Sequence, residues 1–139
     1  MKQLIITVIL VAAGSLIGKV SVNYFFYKNN SFDKAIMQAA SELNKSCPLM
    51  VDGVTRLDNA VALTDNVLQY NYTLVNITKD QIDVEQMKKN MTPVIMNNIK
   101  TNPALKVFRD NRVTMAYTYS DKKGVFIFSM KFKYDDYSK

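Results

Sequence analysis

Apolar residues recur along this chain in three rhythms, and each rhythm predicts a different kind of element. The first is an unbroken run, Leu4 to Gly18 ("LIITVILVAAGSLIG"), which carries no charge. A helix buried on every side is hard to house in a small soluble domain, so membrane insertion is the expectation. Fifteen helical residues cover about 22 Å, short of the roughly 30 Å hydrocarbon core. The following "KVSVNYFFY" supplies the missing length if Lys19 snorkels and Tyr24, Phe25, Phe26 and Tyr27 sit at the interface. The alternative is a cleaved signal peptide, with Val11-Ala12-Ala13 or Ala13-Gly14-Ser15 as the small-residue cleavage site.

The second rhythm is helical. After Ser31, a fair N-cap, Phe32, Ala35, Ile36, Ala39, Ala40 and Leu43 mark one face of a helix. Pro48 disfavours helix at the residue before it, so this helix should end near Lys45. Thr78 with Gln81 is a capping-box pair, and Val84, Met87, Met91, Ile95 and Ile99 make a second stripe, with Pro93 expected to kink or split it. A short helical turn carrying Leu105 and Phe108 is expected after Asn102-Pro103.

The third rhythm is strict alternation. "LMVDGVTRLDNAVAL" reads as a strand with Gly53 as a possible bulge, Thr64-Asp65-Asn66 as a turn, and "VLQYNYTLVNI" as its antiparallel partner. In the partner, Leu68, Tyr70, Tyr72 and Leu74 point one way, and Gln69, Asn71 and Thr73 the other. Val113, Met115, Tyr117 and Tyr119 alternate again. After the "SDKKG" turn, Phe126, Phe128, Met130, Phe132 and Tyr134 do the same. The expected class is therefore α+β: a transmembrane or signal helix, then helix-strand-strand-helix-strand-strand. A four-stranded antiparallel sheet covered by helices on one face is the simplest packing. Residues 1–28 form the anchor or signal segment with its aromatic belt, and 29–139 a single domain.

Charge changes this picture little. The formal charge is +6, from 18 basic and 12 acidic residues, but Lys2, Lys19 and Lys28 lie in the N-terminal region, where no acid occurs. From Asn29 onward 15 bases face 12 acids, an ordinary solvated surface, and no nucleic-acid partner is expected. Composition excludes more. There is no histidine and a single cysteine, which removes Ser-His and Cys-His catalysis, zinc and iron–sulfur sites from a monomer. No phosphate loop, calcium loop or nucleotide fingerprint is present, so no cofactor and no metal are expected. Asn-x-Ser/Thr triplets at Asn29, Asn44, Asn71, Asn76 and Asn90 are ascribed to the abundance of asparagine.

The densest polar stretch is "CPLMVDGVTRLD", Cys47 to Asp58. On a regular strand Asp52, Val54, Arg56 and Asp58 share a face, so Arg56 could polarise a carboxylate pair for a hydrolase or transferase. Two carboxylates six residues apart on one strand lie about 20 Å from each other, too far to share a substrate atom. The plainer reading is an Arg held between two Asp residues on a wet sheet face. Cys47, among apolar neighbours, reads as an inert thiol rather than a nucleophile. Tyr70, Tyr72, Tyr117 and Tyr119 read as core, with an aromatic groove as the alternative. Asp52, Arg56, Asp58, Tyr70 and Tyr72 are the candidate binding residues; no residue is assigned a catalytic role.

"LNKSCPLMVDGVTRLDNAVAL" followed by "YNYTL" (Leu43 to Leu74) resembles a family of small uncharacterised bacterial proteins. They share an N-terminal hydrophobic segment and a pattern close to N-K-x-C-P-x-x-V-D-x-x-T-R-L-D before a Y-x-Y-T-L strand. Asn44, Lys45, Cys47, Pro48, Val51, Asp52, Thr55, Arg56, Leu57, Asp58, Tyr70, Tyr72, Thr73 and Leu74 carry it here. "NPALKVFRDNRVTMAYTYSDKKG" is similar to the later half of the same family. The resemblance implies that relatives often carry a second cysteine near the position of Thr101, so a disulfide open to them is closed to this chain. The resemblance implies a bacterial, membrane-associated or exported domain and supplies no activity. The expected function is a non-enzymatic binding module at the cell envelope. It would be single-pass through Leu4–Gly18, outside the cytoplasm, with another envelope protein as partner. The alternative in location is a periplasmic or secreted domain released by signal cleavage. The alternative in function is a small hydrolase or transferase using Asp52, Arg56, Asp58 or Cys47.

Overall fold

A computed structural model describes residues 32–139; the expected anchor at Leu4–Gly18, the aromatic belt and the Ser31 cap lie outside the described residues. The described residues begin with α1 (Phe32–Asn44), whose Ala35, Ile36, Ala39, Ala40 and Leu43 are buried as the stripe requires. Three strands follow, β1 (Leu49–Met50), β2 (Thr55–Leu63) and β3 (Val67–Leu74). The chain then crosses through α2 (Val84–Thr101) and the short α3 (Lys106–Asp110) before β4 (Thr114–Ser120) and β5 (Phe126–Phe132). A last turn of helix, α4 (Tyr134–Tyr137), closes the described chain.

The class is α+β, but the sheet differs from expectation. It has five strands in the order β1-β2-β3-β4-β5 and is mixed: β3 and β4 run parallel, while every other neighbouring pair is antiparallel. The reason is the crossover. Residues 75–113 return the chain along the helical layer, and a helical connection of that length is what allows two adjacent strands to run the same way. The extra strand comes from the Cys47–Asp58 stretch. It does not extend through Gly53 but breaks into β1 and β2, which pair as Leu49 with Leu57 and Met50 with Arg56.

α1 lies against β2 and α2 against β5, covering one face of the sheet. Met87, Met91, Ile95 and Ile99 face the core, as the stripe predicts, and α2 is not split at Pro93. Proline removes one N–H from the ladder there, and Pro93 sits on the exposed side. The capping-box pair starts a different element. The backbone N–H of Thr78 donates to Gln81 Oε1 at 2.9 Å at the head of a 3₁₀ turn, Lys79–Gln81. α2 begins later, where Asp83 Oδ1 accepts from the N–H of Gln86 at 3.0 Å.

The core is aromatic along its middle. Parallel register sets Tyr70 opposite Tyr117 and Tyr72 opposite Tyr119. The Tyr72 and Tyr119 rings stack at 5.1 Å, and Tyr119 stacks on Phe128 at 4.9 Å. Tyr117 meets Phe132 edge to face at 5.9 Å. The C-terminal α4 is tied in by Tyr137, whose hydroxyl donates to the Val113 carbonyl at 2.8 Å. Phe126 breaks the expected alternation. Tyr119 pairs with Phe128 but Ser120 pairs with Phe126, so Ile127 is an extra residue. This bulge turns Phe126 outward, to 53% exposure, while Ile127 is buried.

The hairpin beyond that bulge is held by Asp121. Its Oδ1 accepts from the backbone N–H groups of Lys123 (2.8 Å) and Val125 (3.0 Å), and its Oδ2 from that of Lys79 (3.0 Å). Gly124 takes the positive φ of +80° that the turn needs. Burial alone would raise this carboxyl. The bonds from Val125, Lys79 and Lys123, with the charge of Lys123, outweigh it and hold Asp121 below its ordinary range.

Two pH responses follow, of opposite sign. Asp121 has a lowered folded pKa, so its contribution is complete above the unfolded value of about 4 and is lost as pH falls through the folded one. Melting temperature should drop on acidification below about pH 4, and Asp121→Asn should flatten that limb while lowering stability at neutral pH. The tyrosines act at the other end. Burial, above all, pushes Tyr70, Tyr72, Tyr117 and Tyr119 far above the ordinary phenol value. Burial with Tyr134 nearby pushes Tyr137 up to about 12 against the opposing charge of Arg109. Their contribution is complete below the unfolded pKa of about 10 and fades as pH rises above it. In an alkaline titration these tyrosinates should appear together with loss of circular dichroism. Full ionisation with the fold intact would contradict this core.

Candidate functional site

Four of the residues singled out by the sequence sit at one end of the sheet, but they do not form one constellation. Asp52 lies in the β1–β2 connection, not on a strand. Its Oδ1 accepts from the N–H groups of Val54 and Thr55, both at 2.7 Å, an Asx turn that reverses the chain. Gly53 is in this loop, with open space where a Cβ would stand; the expected bulge is elsewhere. Leu57 pairs with Tyr72 and Asn59 with Asn71, so Asp58 is the extra residue on β2.

That bulge decides what Asp58 touches. An extra residue kinks the strand and re-aims its side chain. Asp58 Oδ1 accepts from Arg56 Nε at 2.6 Å, and its Oδ2 accepts from Thr73 Oγ1 at 2.5 Å across the β2–β3 pair. Both carboxylate oxygens are thus engaged by neighbours on the sheet. No hydrogen bond or ion pair links Asp52 to Arg56 or Asp58 among the described residues. The shared face expected for Asp52, Arg56 and Asp58 is corrected here: Asp52 shapes a loop, and Arg56 with Asp58 forms a separate, partly exposed pair.

Cys47 precedes β1, at a cis Cys47–Pro48 bond, and is a free thiol. Its Sγ donates to the Leu43 carbonyl at 3.5 Å. Burial, then the negative charge of Asp58, pushes the thiol above its ordinary value, the reverse of what a nucleophilic cysteine needs. Tyr70 and Tyr72, at 1% and 4% exposure, lie in the core, so they are not open to a ligand in this conformation. Among the described residues the Tyr70 and Tyr117 hydroxyls have no hydrogen-bond partner. Among the described residues no group of three or more His, Cys, Asp or Glu could hold a metal ion.

Sequence reasoning missed Asn44. Its side chain works as a strand substitute: Nδ2 donates to the Ala60 carbonyl at 2.8 Å and Oδ1 accepts from the Ala60 N–H at 2.7 Å. β1 covers β2 only as far as Leu57, and Asn44 fills the backbone site beyond the bulge. An asparagine one turn before a proline, at the end of an apolar stripe, is the available signal, and it is not a strong one.

These features define a class, an α+β domain in which helices cover one face of a mixed five-stranded sheet. The chain belongs to the family described as Domain of unknown function (DUF8479), whose model matches residues 30–128. No curated protein matches. Two solved structures share the fold. One, from Pseudomonas aeruginosa, is described as a "putative secreted protein"; it is 13% identical, with a TM-score of 0.60 over 78% of this chain and 98% of its own. The other is the type II secretion system pilotin AspS from Vibrio cholerae, 11% identical, with a TM-score of 0.55 over 88% of this chain and 99% of its own.

The geometry ranks three substitutions. Asp52→Ala removes two bonds to a charged acceptor and should cost about 1.5–3 kcal/mol. Arg56→Ala breaks a partly exposed ion pair and should cost less than about 1 kcal/mol. Asn44→Ala uncovers both backbone groups of Ala60 and should cost about 1–3 kcal/mol. Chemical denaturation of the three variants checks this order; an Arg56→Ala loss larger than that of Asp52→Ala would refute it.

Proposed function

We propose that this chain is a membrane-tethered module of the bacterial envelope that binds another envelope protein and catalyses no reaction. The carrying observation is where the polar side chains spend their bonds. Asp52 closes a turn, Asp58 is held by Arg56 and Thr73, and Cys47 is a thiol of raised pKa. The groups that looked reactive in sequence brace the sheet instead. The shared fold of a pilotin and a secreted protein supports an envelope setting.

In this reading Leu4–Gly18 lies in the bilayer, the aromatics at Tyr24–Tyr27 mark its edge, and the folded domain stands outside the cytoplasm. Among the described residues no helix is long and apolar enough to cross a membrane, so the tether rests on the N-terminal run alone. Arg56 and Asp58, on the partly exposed face, are the polar contacts offered to the partner.

The test has two arms. Alkaline carbonate extraction of native membranes should leave the full-length protein in the pellet, and protease should reach the domain once the outer barrier is opened. A photo-crosslinker at Arg56 should then give one adduct of defined mass, absent when the crosslinker is moved to the core. Turnover of a small substrate, lost in Asp58→Asn at unchanged melting temperature, would refute the reading.

A further inference from the structure

An apolar groove lies open beside the point where the chain enters the described domain. Ile36 and Met37 of α1 face Ala62, Leu63, Thr64 and Asp65 at the end of β2, across a space of about 290 Å³. Met37 is 62% and Leu63 42% exposed. The one charged group in the lining is an acid. The exposed Asp65 carboxylate makes no hydrogen bond or ion pair among the described residues. At the bottom of the size range of small-molecule sites, the groove has room for one apolar ring with a cation beside it.

The chain itself carries that combination close by. It enters α1 at the groove end, because Phe32 lies one turn before Ile36, and "YFFYK" (Tyr24 to Lys28) comes just before. We propose that Phe26 fills this groove between Met37 and Leu63, with the Lys28 ammonium on the Asp65 carboxylate. In an extended chain residues two apart point the same way, so a buried Phe26 sets Lys28 towards Asp65. Reach selects this patch over the other exposed apolar one. Phe26 is six residues from Phe32, at most about 21 Å. Val125 and Phe126 are 47% and 53% exposed, but they lie beside Lys122 and Lys123 at the opposite end of the sheet. From the groove that is about 20 Å along the strands and three strand spacings across, about 24 Å in all. The cations there would also repel Lys28. A short linker gives an effective concentration on the order of millimolar, so the contact of one ring suffices. The inference goes beyond the tether under Proposed function and does not need it: Tyr24 and Phe25 remain for the bilayer edge.

A photoreactive benzoylphenylalanine in place of Phe26 tests this, in the full-length protein reconstituted in phosphatidylethanolamine–phosphatidylglycerol nanodiscs. The expected result is an adduct within the chain that peptide mass spectrometry maps to Met37 or Leu63, with none at Val125 or Phe126. Leu63→Asp, at a position whose exposure spares the core, should cut the Met37 adduct about fivefold or more, because a carboxylate in the groove disfavours the ring. Asp65→Lys should weaken the adduct as well, and Lys28→Asp in the same chain should restore it. A yield indifferent to Leu63→Asp would show nearness without docking and overturn the proposal. Adducts to lipid alone would overturn it too, and would leave the tether standing. A protein that carbonate releases, but that keeps the Met37 adduct, would refute the tether and uphold the docking.

Discussion

The parallel seam between β3 and β4 is the constraint on which the rest of the domain depends. It joins the antiparallel unit β1-β2-β3 to the β4–β5 hairpin, and a two-stranded hairpin is marginal by itself. Its register sets the Tyr70 ring tilted against Tyr117 and stacks Tyr72 on Tyr119. Aromatic pairs of this kind add about 0.5–1.5 kcal/mol each beyond the area they bury. Pairing β3 with β4 closes the helical crossover of residues 75–113, so the ordering entropy of that connection opposes the seam and burial of α2 in the shared core offsets it. Met87, Met91, Ile95 and Ile99 lie in the same core as the tyrosines.

Around that seam, polar side chains shape the backbone at the places where the sheet would otherwise be incomplete. Asn44 fills the open edge of β2, Asp52 closes the turn into it, and Asp58 sits in the bulge that bends it. Asp121 holds the far hairpin. Each is a carboxylate or amide whose side chain makes at least two hydrogen bonds at one place. Such groups resemble catalytic candidates in a sequence, because both roles favour short polar side chains among apolar ones. What separates them here is that the acceptor atoms already have partners within the fold.

The faces of the elements were legible from the residues alone. Ala35 to Leu43, Met87 to Ile99, Leu68 to Leu74 and Val113 to Tyr119 bury the sides their periods predict. Pairing direction was not, because a period of two says which side chains share a face and nothing about which way a neighbour runs. The bulges at Asp58 and Ile127 escaped for a related reason. Each inserts one residue without a composition signal, and it redirects Asp58 to Thr73 and Phe126 to solvent. The break at Asp52–Val54 carries a turn signal, the Asp52-Gly53 pair, which the apolar runs Leu49–Val51 and Val54 made readable as a bulge within one strand. Asn44, in turn, is matched to a backbone site sixteen residues away, and no local pattern encodes that match.

Native-state hydrogen exchange on the folded domain tests the central claim, that the β3–β4 seam is the most stable part of the structure. Amides of Gln69 to Thr73 and Ala116 to Tyr119 should exchange only through global unfolding, more slowly than those of β1 and the outer edge of β5. Faster exchange along the seam than along those edges would contradict the account.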